Sequence, residues 1–236
     1  TLASIDEWCS RRGMRFVLVL DEAQYLRFSG VRYDGVLAWC VDNLRSVTVV
    51  VTGSEVGVLR DFLKLEEPDS PLYGRCSRVV DVPRFDEETA KAFLEAGFSE
   101  LGVLVRGEEV DEVVRELDGI VGWLTYYGYY RGVRGLDHAG AVAELREAAK
   151  RLILGELSRA ISPSPERYAA ILKAVSAGLR TWKEIKAYVC ARAGHTSDAR
   201  LAKLIRNLVN YGYLTKEAGG YAIPDPLVEV AVKEAL

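Results

Sequence analysis

The sequence predicts an α/β fold: an α/β body, a helical middle and a small basic module of three helices and a hairpin. Three observations carry this. Two apolar, β-rich runs near the start are separated by helical sequence, the pattern of parallel strands with helices on the sheet faces. Residues 84–158 keep helical periodicity without a strand-like run. Charge then changes sign: residues 159–236 hold 12 Lys/Arg against 7 Asp/Glu, whereas residues 1–158 hold 19 against 27.

In chain order, residues 1–12 place Leu2, Ile5, Trp8 and Cys9 at helical spacing, and Gly13 ends that helix. Phe16-Val-Leu-Val-Leu20 is a continuous apolar run, which suits a central strand buried on both faces. Ser46–Val51 is a second such run, and Arg78–Val82 a shorter third. Helices are expected over 86–97, 108–118, 120–131 and 138–160, with Asp86 as an N-cap and Gly119 as a C′ stop. The aromatic cluster Trp123, Tyr126, Tyr127, Tyr129 and Tyr130 reads as packing. The net acidity of its segment, 9 basic against 15 acidic residues, argues against nucleic acid there.

Ser162-Pro-Ser-Pro165 marks a boundary near residue 160, because proline lacks the N–H of a helix interior. Beyond it come a helix at 166–178 ended by Gly178 and a second helix opened by the capping box Thr181-Trp-Lys-Glu184. Ser197 caps a third helix, whose apolar stripe is Leu201, Leu204, Ile205 and Leu208. Tyr213–Lys216 and Tyr221–Ile223 flank a glycine turn and read as a hairpin. Three helices and a hairpin in this order make a winged helix. On its third helix Arg200, Lys203, Arg206 and Asn207 are expected to face solvent. With Arg192 before it and Lys216 in the wing, they are candidates for contact with double-stranded DNA. The alternative is a protein-contact winged helix with a solvated charged face.

The chemistry sits after the strands. Ligands of open parallel sheets bind at the carboxyl ends of the strands. The first run ends in Asp21-Glu22-Ala-Gln24, and the second in Thr52-Gly-Ser54. Of two adjacent carboxylates, one can hold Mg²⁺ and the other can orient or deprotonate a water. Solvated capping is the plain alternative. Zinc is not expected: there is no C-x-x-C pair, and His138 and His195 are the only histidines. Cys9, Cys40, Cys76 and Cys190 read as reduced core residues of a cytoplasmic protein. No run of 18 apolar residues exists, so no membrane helix is expected. High charge with one Gln and three Asn resembles a heat-adapted proteome.

Phe16-Val-Leu-Val-Leu-Asp-Glu-Ala-Gln24 looks like a Walker B strand. With Thr52-Gly-Ser54, Ser70-Pro-Leu-Tyr-Gly-Arg75 and Asp118-Gly-Ile-Val-Gly-Trp-Leu124, it resembles the archaeal ATPase family, AAA+-related signal-transduction ATPases with a C-terminal winged helix. The resemblance implies a partial P-loop NTPase sheet over residues 1–83, a helical lid over 84–160 and the winged helix over 161–236. It implies Asp21 as the Mg²⁺ residue, Glu22 as the catalytic carboxylate, Thr52 or Ser54 at the sensor position, and Arg75 approaching phosphate in cis or across a subunit interface, with a surface ion pair as the alternative for Arg75. ATP and Mg²⁺ are the implied cofactors, and DNA, a homo-oligomer or another protein the implied partners. Val121 stands where the family's lid often has proline, and no G-x-x-x-x-G-K-[ST] occurs; Gly53-Ser-Glu-Val-Gly57 lacks both the Lys and the spacing. In the family that loop lies well upstream of the Walker B strand. The chain opens on Thr1 rather than Met, so it is expected to lack an N-terminal part. The expected function is an ATP-hydrolysing switch whose winged helix contacts DNA. The alternative is a non-catalytic DNA-binding regulator or protein-interaction module on a degenerate ATPase scaffold.

Overall fold

The computed structural model describes every residue of the chain except Glu55 and Cys76, and only the backbone of Val56. The chain forms two compact units. One comprises Thr1–Val80 with Asn210–Gly212, the other Asp81–Val209 with Tyr213–Leu236.

The first unit begins with α1 (Leu2–Ser10), capped by the Thr1 side chain, which accepts from the Ser4 N–H. Gly13 then turns the chain with φ of 63° into β1 (Phe16–Leu20). A 3₁₀ turn (Ala23–Phe28) and α2 (Tyr33–Asn43) lead to β2 (Val47–Val51), and α3 (Val56–Leu63) follows. β1 and β2 pair in parallel, with Phe16 opposite Val47 and Leu20 opposite Val51. One sheet face is half-buried, and its Leu20 and Val49 pack against Leu37, Ala38 and Leu72.

Two sequence expectations fail here. Burial on both faces is not found: Val17 and Val19 are 55% and 56% exposed, so the strands alternate as a one-sided sheet does. The third strand over Arg78–Val82 does not form. That segment is extended and exposed, Val82 to 92%, and among the described residues no strand pairs with it. Apolar β-formers make a strand only where another strand accepts their backbone groups. Of the four cysteines, Cys9 and Cys40 are buried free thiols, and burial pushes the Cys40 thiol up. Cys190 is half-buried, and Cys76 lies outside the described residues.

The second unit is helical: α4 (Glu87–Glu100), α5 (Gly107–Leu117), α6 (Val121–Gly128) with a π turn (Tyr129–Val133), and α7 (His138–Ile161). Asp86 caps α4 by accepting from the Thr89 N–H at 2.7 Å. α5 ends with Asp118 and Gly119 both left-handed, and a Cβ on Gly119 would stand 1.9 Å from the Phe85 carbonyl oxygen. Only glycine fits there. Tyr127 and Leu124 are fully buried and Tyr130 nearly so, whereas Tyr126 and Tyr129 reach solvent.

A turn at 162–164 leads to α8 (Pro165–Ser176), α9 (Trp182–Ala193), α10 (Asp198–Asn210), the strands β3 (Thr215–Glu217) and β4 (Gly220–Ala222), and α11 (Pro226–Ala235). The capping box at Thr181 and Glu184 is formed in both directions. Ile171, Leu172, Ile185, Val189, Leu201 and Leu208 join one core with Leu124, Leu145 and Leu157. The segments read from sequence as lid and winged helix therefore share a single interior. α11 has no counterpart in the sequence reading. Asp225 caps it, Pro226 opens it, and Leu227, Val228, Ala231 and Val232 form its buried stripe. No described helix is long and apolar enough to cross a membrane.

Candidate functional site

The parallel pairing of β1 and β2 sets their carboxyl ends side by side. Thr52 N–H donates to the Leu20 carbonyl at 3.0 Å, and Ala23 N–H to the Thr52 carbonyl at 2.9 Å. The ladder thus runs one step past the strands and brings Asp21-Glu22 against Thr52-Gly-Ser54. Four residues singled out separately in the sequence meet here.

The Thr52 hydroxyl donates to Asp21 Oδ1 and accepts from the Glu22 N–H at 3.2 Å. Glu22 is in the left-handed region, φ 49° and ψ 45°. A non-glycine residue pays for that conformation, and such strain collects where a side chain must be aimed. The turn aims the Glu22 carboxylate back over the end of β2. Ser54 Oγ donates to Oε2 at 2.9 Å, and Ser54 N–H to Oε1 at 3.2 Å. A third donor was not singled out from the sequence: Gln24 Nε2, also on Oε2. Gln24 is fully buried, and its Oε1 has no hydrogen-bond partner among the described residues. Its signal was present, since it is the only glutamine and stands two residues after Glu22.

Asp21 is exposed, with one oxygen accepting from Thr52 and no hydrogen bond to the other among the described residues. Oxygen donors of this kind suit Mg²⁺, which commonly takes one or two carboxylates and completes its shell with water and substrate phosphates. Among the described residues no group of three or more His, Cys, Asp or Glu could hold a metal. One exposed carboxylate with room beside it for water and phosphate oxygens is the kind of donor a nucleotide-associated Mg²⁺ can use.

Arg75 takes no part in the hydrogen bonds just described. Its guanidinium forms a fork with Asp42, on α2, with Nε 2.9 Å from Oδ1. The bonds raise the arginine's affinity for its proton and hold the Asp42 carboxyl below its ordinary value.

On α10, Arg200, Lys203 and Arg206 are exposed, and none forms an ion pair among the described residues. Lys216 is exposed in β3, and Arg192 lies 5.6 Å from the centroid of the Tyr188 ring. Asn207 corrects the sequence reading. It is half-buried, and its amide donates to the Tyr168 hydroxyl at 2.7 Å. Position 207 lies three residues past the buried Leu204, so the helical turn points it toward α8.

A parallel sheet that carries carboxylates after one strand and hydroxyls after its neighbour, in a chain that adds a helical unit with a winged helix, has the organisation of a Walker-type ATPase. The chain belongs to the family of ATPase domains predominantly from Archaea, whose family model matches residues 1–126. Residues 164–223 match the C-terminal winged helix-turn-helix domain of MCM proteins. Among solved structures, the Walker-type ATPase of Pyrococcus abyssi is 37% identical and superposes with a TM-score of 0.89 over 97% of this chain. The present chain spans 65% of the length of that protein. No curated protein matches.

Proposed function

We propose that the complete protein is an ATP-binding and ATP-hydrolysing molecular switch, with a winged helix that contacts double-stranded DNA. The observation that carries the first half is the convergence of Asp21, Glu22, Thr52 and Ser54 at the ends of two parallel strands. Asp21 would hold Mg²⁺, which when bound supplies positive charge to the phosphoryl oxygens. Glu22 is the acceptor-only carboxylate beside it and takes the role of orienting and deprotonating the attacking water. Thr52 fixes Asp21 and the Glu22 backbone together. Ser54 holds the Glu22 carboxylate and can release it as the nucleotide state changes. These 236 residues contain no G-x-x-x-x-G-K-[ST], so the activity is proposed for the whole protein and not for this chain alone. We assign Arg75 a phosphate-contacting role only where another group competes with Asp42 for its fork.

The DNA half is supported by the row of cations on the exposed face of α10, Arg200, Lys203 and Arg206, with Lys216 in the wing. Cations without carboxylate partners are free to replace counterions along phosphates. The test of the catalytic reading is Glu22→Gln in the complete protein. Hydrolysis should fall by about a hundredfold or more, the scale of losing a general base, while ATP binding persists. Unchanged turnover rejects the assignment.

A further inference from the structure

Gln24 is fully buried at the base of the site, and its Nε2 donates to Glu22 Oε2. The same oxygen accepts from Ser54 Oγ, on an exposed residue, at 2.9 Å. The carboxylate is thereby held between a buried donor and an exposed one. The other end of the Gln24 amide gains nothing. Its Oε1 has no partner among the described residues and lies against Gly53, where an added Cβ would stand 2.5 Å away. A buried acceptor without a partner weakens the fold, whereas an apolar side chain of the same shape would not. Packing therefore does not explain a glutamine here. What the carboxamide provides among the described residues is one hydrogen bond from its NH₂, and that bond goes to Glu22.

We propose that Gln24 is the positioning residue for Glu22, fixing the carboxylate from its buried side while Ser54 holds it from the exposed side. This rests on the role of Glu22 proposed above. When Ser54 lets go, Gln24 still holds one carboxylate oxygen, so the other swings toward the water and not into solvent at random. Gln24 itself touches no reacting atom.

Two measurements test it. With one glutamine and three asparagines, an NH₂-selective NMR spectrum of this chain holds four carboxamide pairs, and the pair lost in Gln24→Met is that of Gln24. In this 236-residue chain the pair should be widely separated and slow to exchange with solvent, and Glu22→Ala should collapse the separation. A pair that is unmoved by Glu22→Ala overturns the pairing, whatever the protein hydrolyses. In the complete protein, Gln24→Met removes the donor and keeps the volume. It should lower kcat about tenfold to a hundredfold, the cost of a misplaced reacting group, with KM for ATP unchanged and the thermal midpoint equal or raised. An unchanged kcat, or a loss that follows a fall in midpoint, overturns the positioning role. Turnover unimpaired in Glu22→Gln removes the function on which the proposal rests. Turnover unimpaired only in Gln24→Met removes the proposal and leaves that function standing.

Discussion

Asp225 is a junction between two elements 102 residues apart. One of its oxygens caps α11, accepting from the Leu227 N–H at 2.8 Å and the Val228 N–H at 3.4 Å. The other accepts from the half-buried Trp123 indole N–H of α6 at 2.9 Å. Asp225→Ala removes both. The lost cap costs about 1 kcal/mol, and an indole N–H left without a partner costs about 1–3 kcal/mol more. The sum, about 2–4 kcal/mol, corresponds to a fall in thermal midpoint of about 5–12 °C for a unit of this size. Asp225→Asn keeps one carbonyl oxygen for the cap but turns its NH₂ toward the indole, so it should cost about 1–3 kcal/mol, less than Asp225→Ala by the value of the cap. Urea unfolding followed by circular dichroism reads these differences, and Trp123→Phe closes a double-mutant cycle. The pair should couple by about 1–2 kcal/mol. An Asp225→Ala variant within about 0.5 kcal/mol of wild type, or an additive cycle, refutes the junction.

Other expectations follow from individual interactions. Glu109 is almost buried and lies 2.9 Å from Arg106 Nε and 3.3 Å from Arg131 Nε. Burial pushes its pKa up, but the two guanidinium groups outweigh that and hold it below the ordinary value. Glu109→Gln strands the half-buried Arg131 and should cost about 3 kcal/mol in urea unfolding; a neutral result contradicts the pairing. The Glu184 carboxyl is lowered by the Thr181 hydroxyl and N–H, and that of Asp198 by the Lys186 ammonium, from ordinary values of 4.5 and 3.8. Depressed folded-state values stabilise above the unfolded values, and that contribution is lost as pH falls through the folded ones. The urea midpoint should therefore drop from about pH 5 to pH 3 and drop less in a Glu184→Gln, Asp198→Asn variant. Gly53→Ala forces a Cβ within 2.5 Å of Gln24 Oε1 and 3.0 Å of Leu59 Cδ2, so it should cost about 1–3 kcal/mol and lower turnover in the complete protein. Alanine at Arg200, Lys203 or Arg206 should weaken DNA binding alike on all sequences and reduce the salt slope by about 0.9 for each phosphate no longer neutralised. A slope unchanged in all three variants removes that face from the interface.

Much of this was legible because it is local. Capping at Asp86, Thr181 and Ser197 is written in residues three apart, and all three caps form. The helices of the second unit announce themselves by periodicity. The proximity of Asp21-Glu22 to Thr52-Gly-Ser54 was legible because parallel strands bring their carboxyl ends together. What failed depends on distant partners. Val79, Val80 and Val82 have the composition of a strand but no described strand beside them. Asn207 sits among surface cations in sequence, and its fate was decided by Tyr168, 39 positions earlier. A surface ion pair was open to Arg75 from its residue type, but its partner, Asp42, 33 positions earlier, could not be named from sequence. Gln24 had a signal in its place two residues after Glu22, but its burial and the aim of its amide are set by the fold. α11 is a different kind of miss: Asp225-Pro226 ahead of the stripe Leu227, Val228, Ala231 and Val232 was a complete local signal.

The proposed function places a magnesium–nucleotide site between the carboxylates at the end of β1 and the hydroxyls at the end of β2. The most direct measurement is ATP hydrolysis by the complete protein as a function of Mg²⁺ concentration, compared with Asp21→Asn. Replacing the ligand carboxylate by an amide should raise the Mg²⁺ concentration needed for half-maximal turnover by about tenfold or more. The same Mg²⁺ dependence in both proteins would contradict the account.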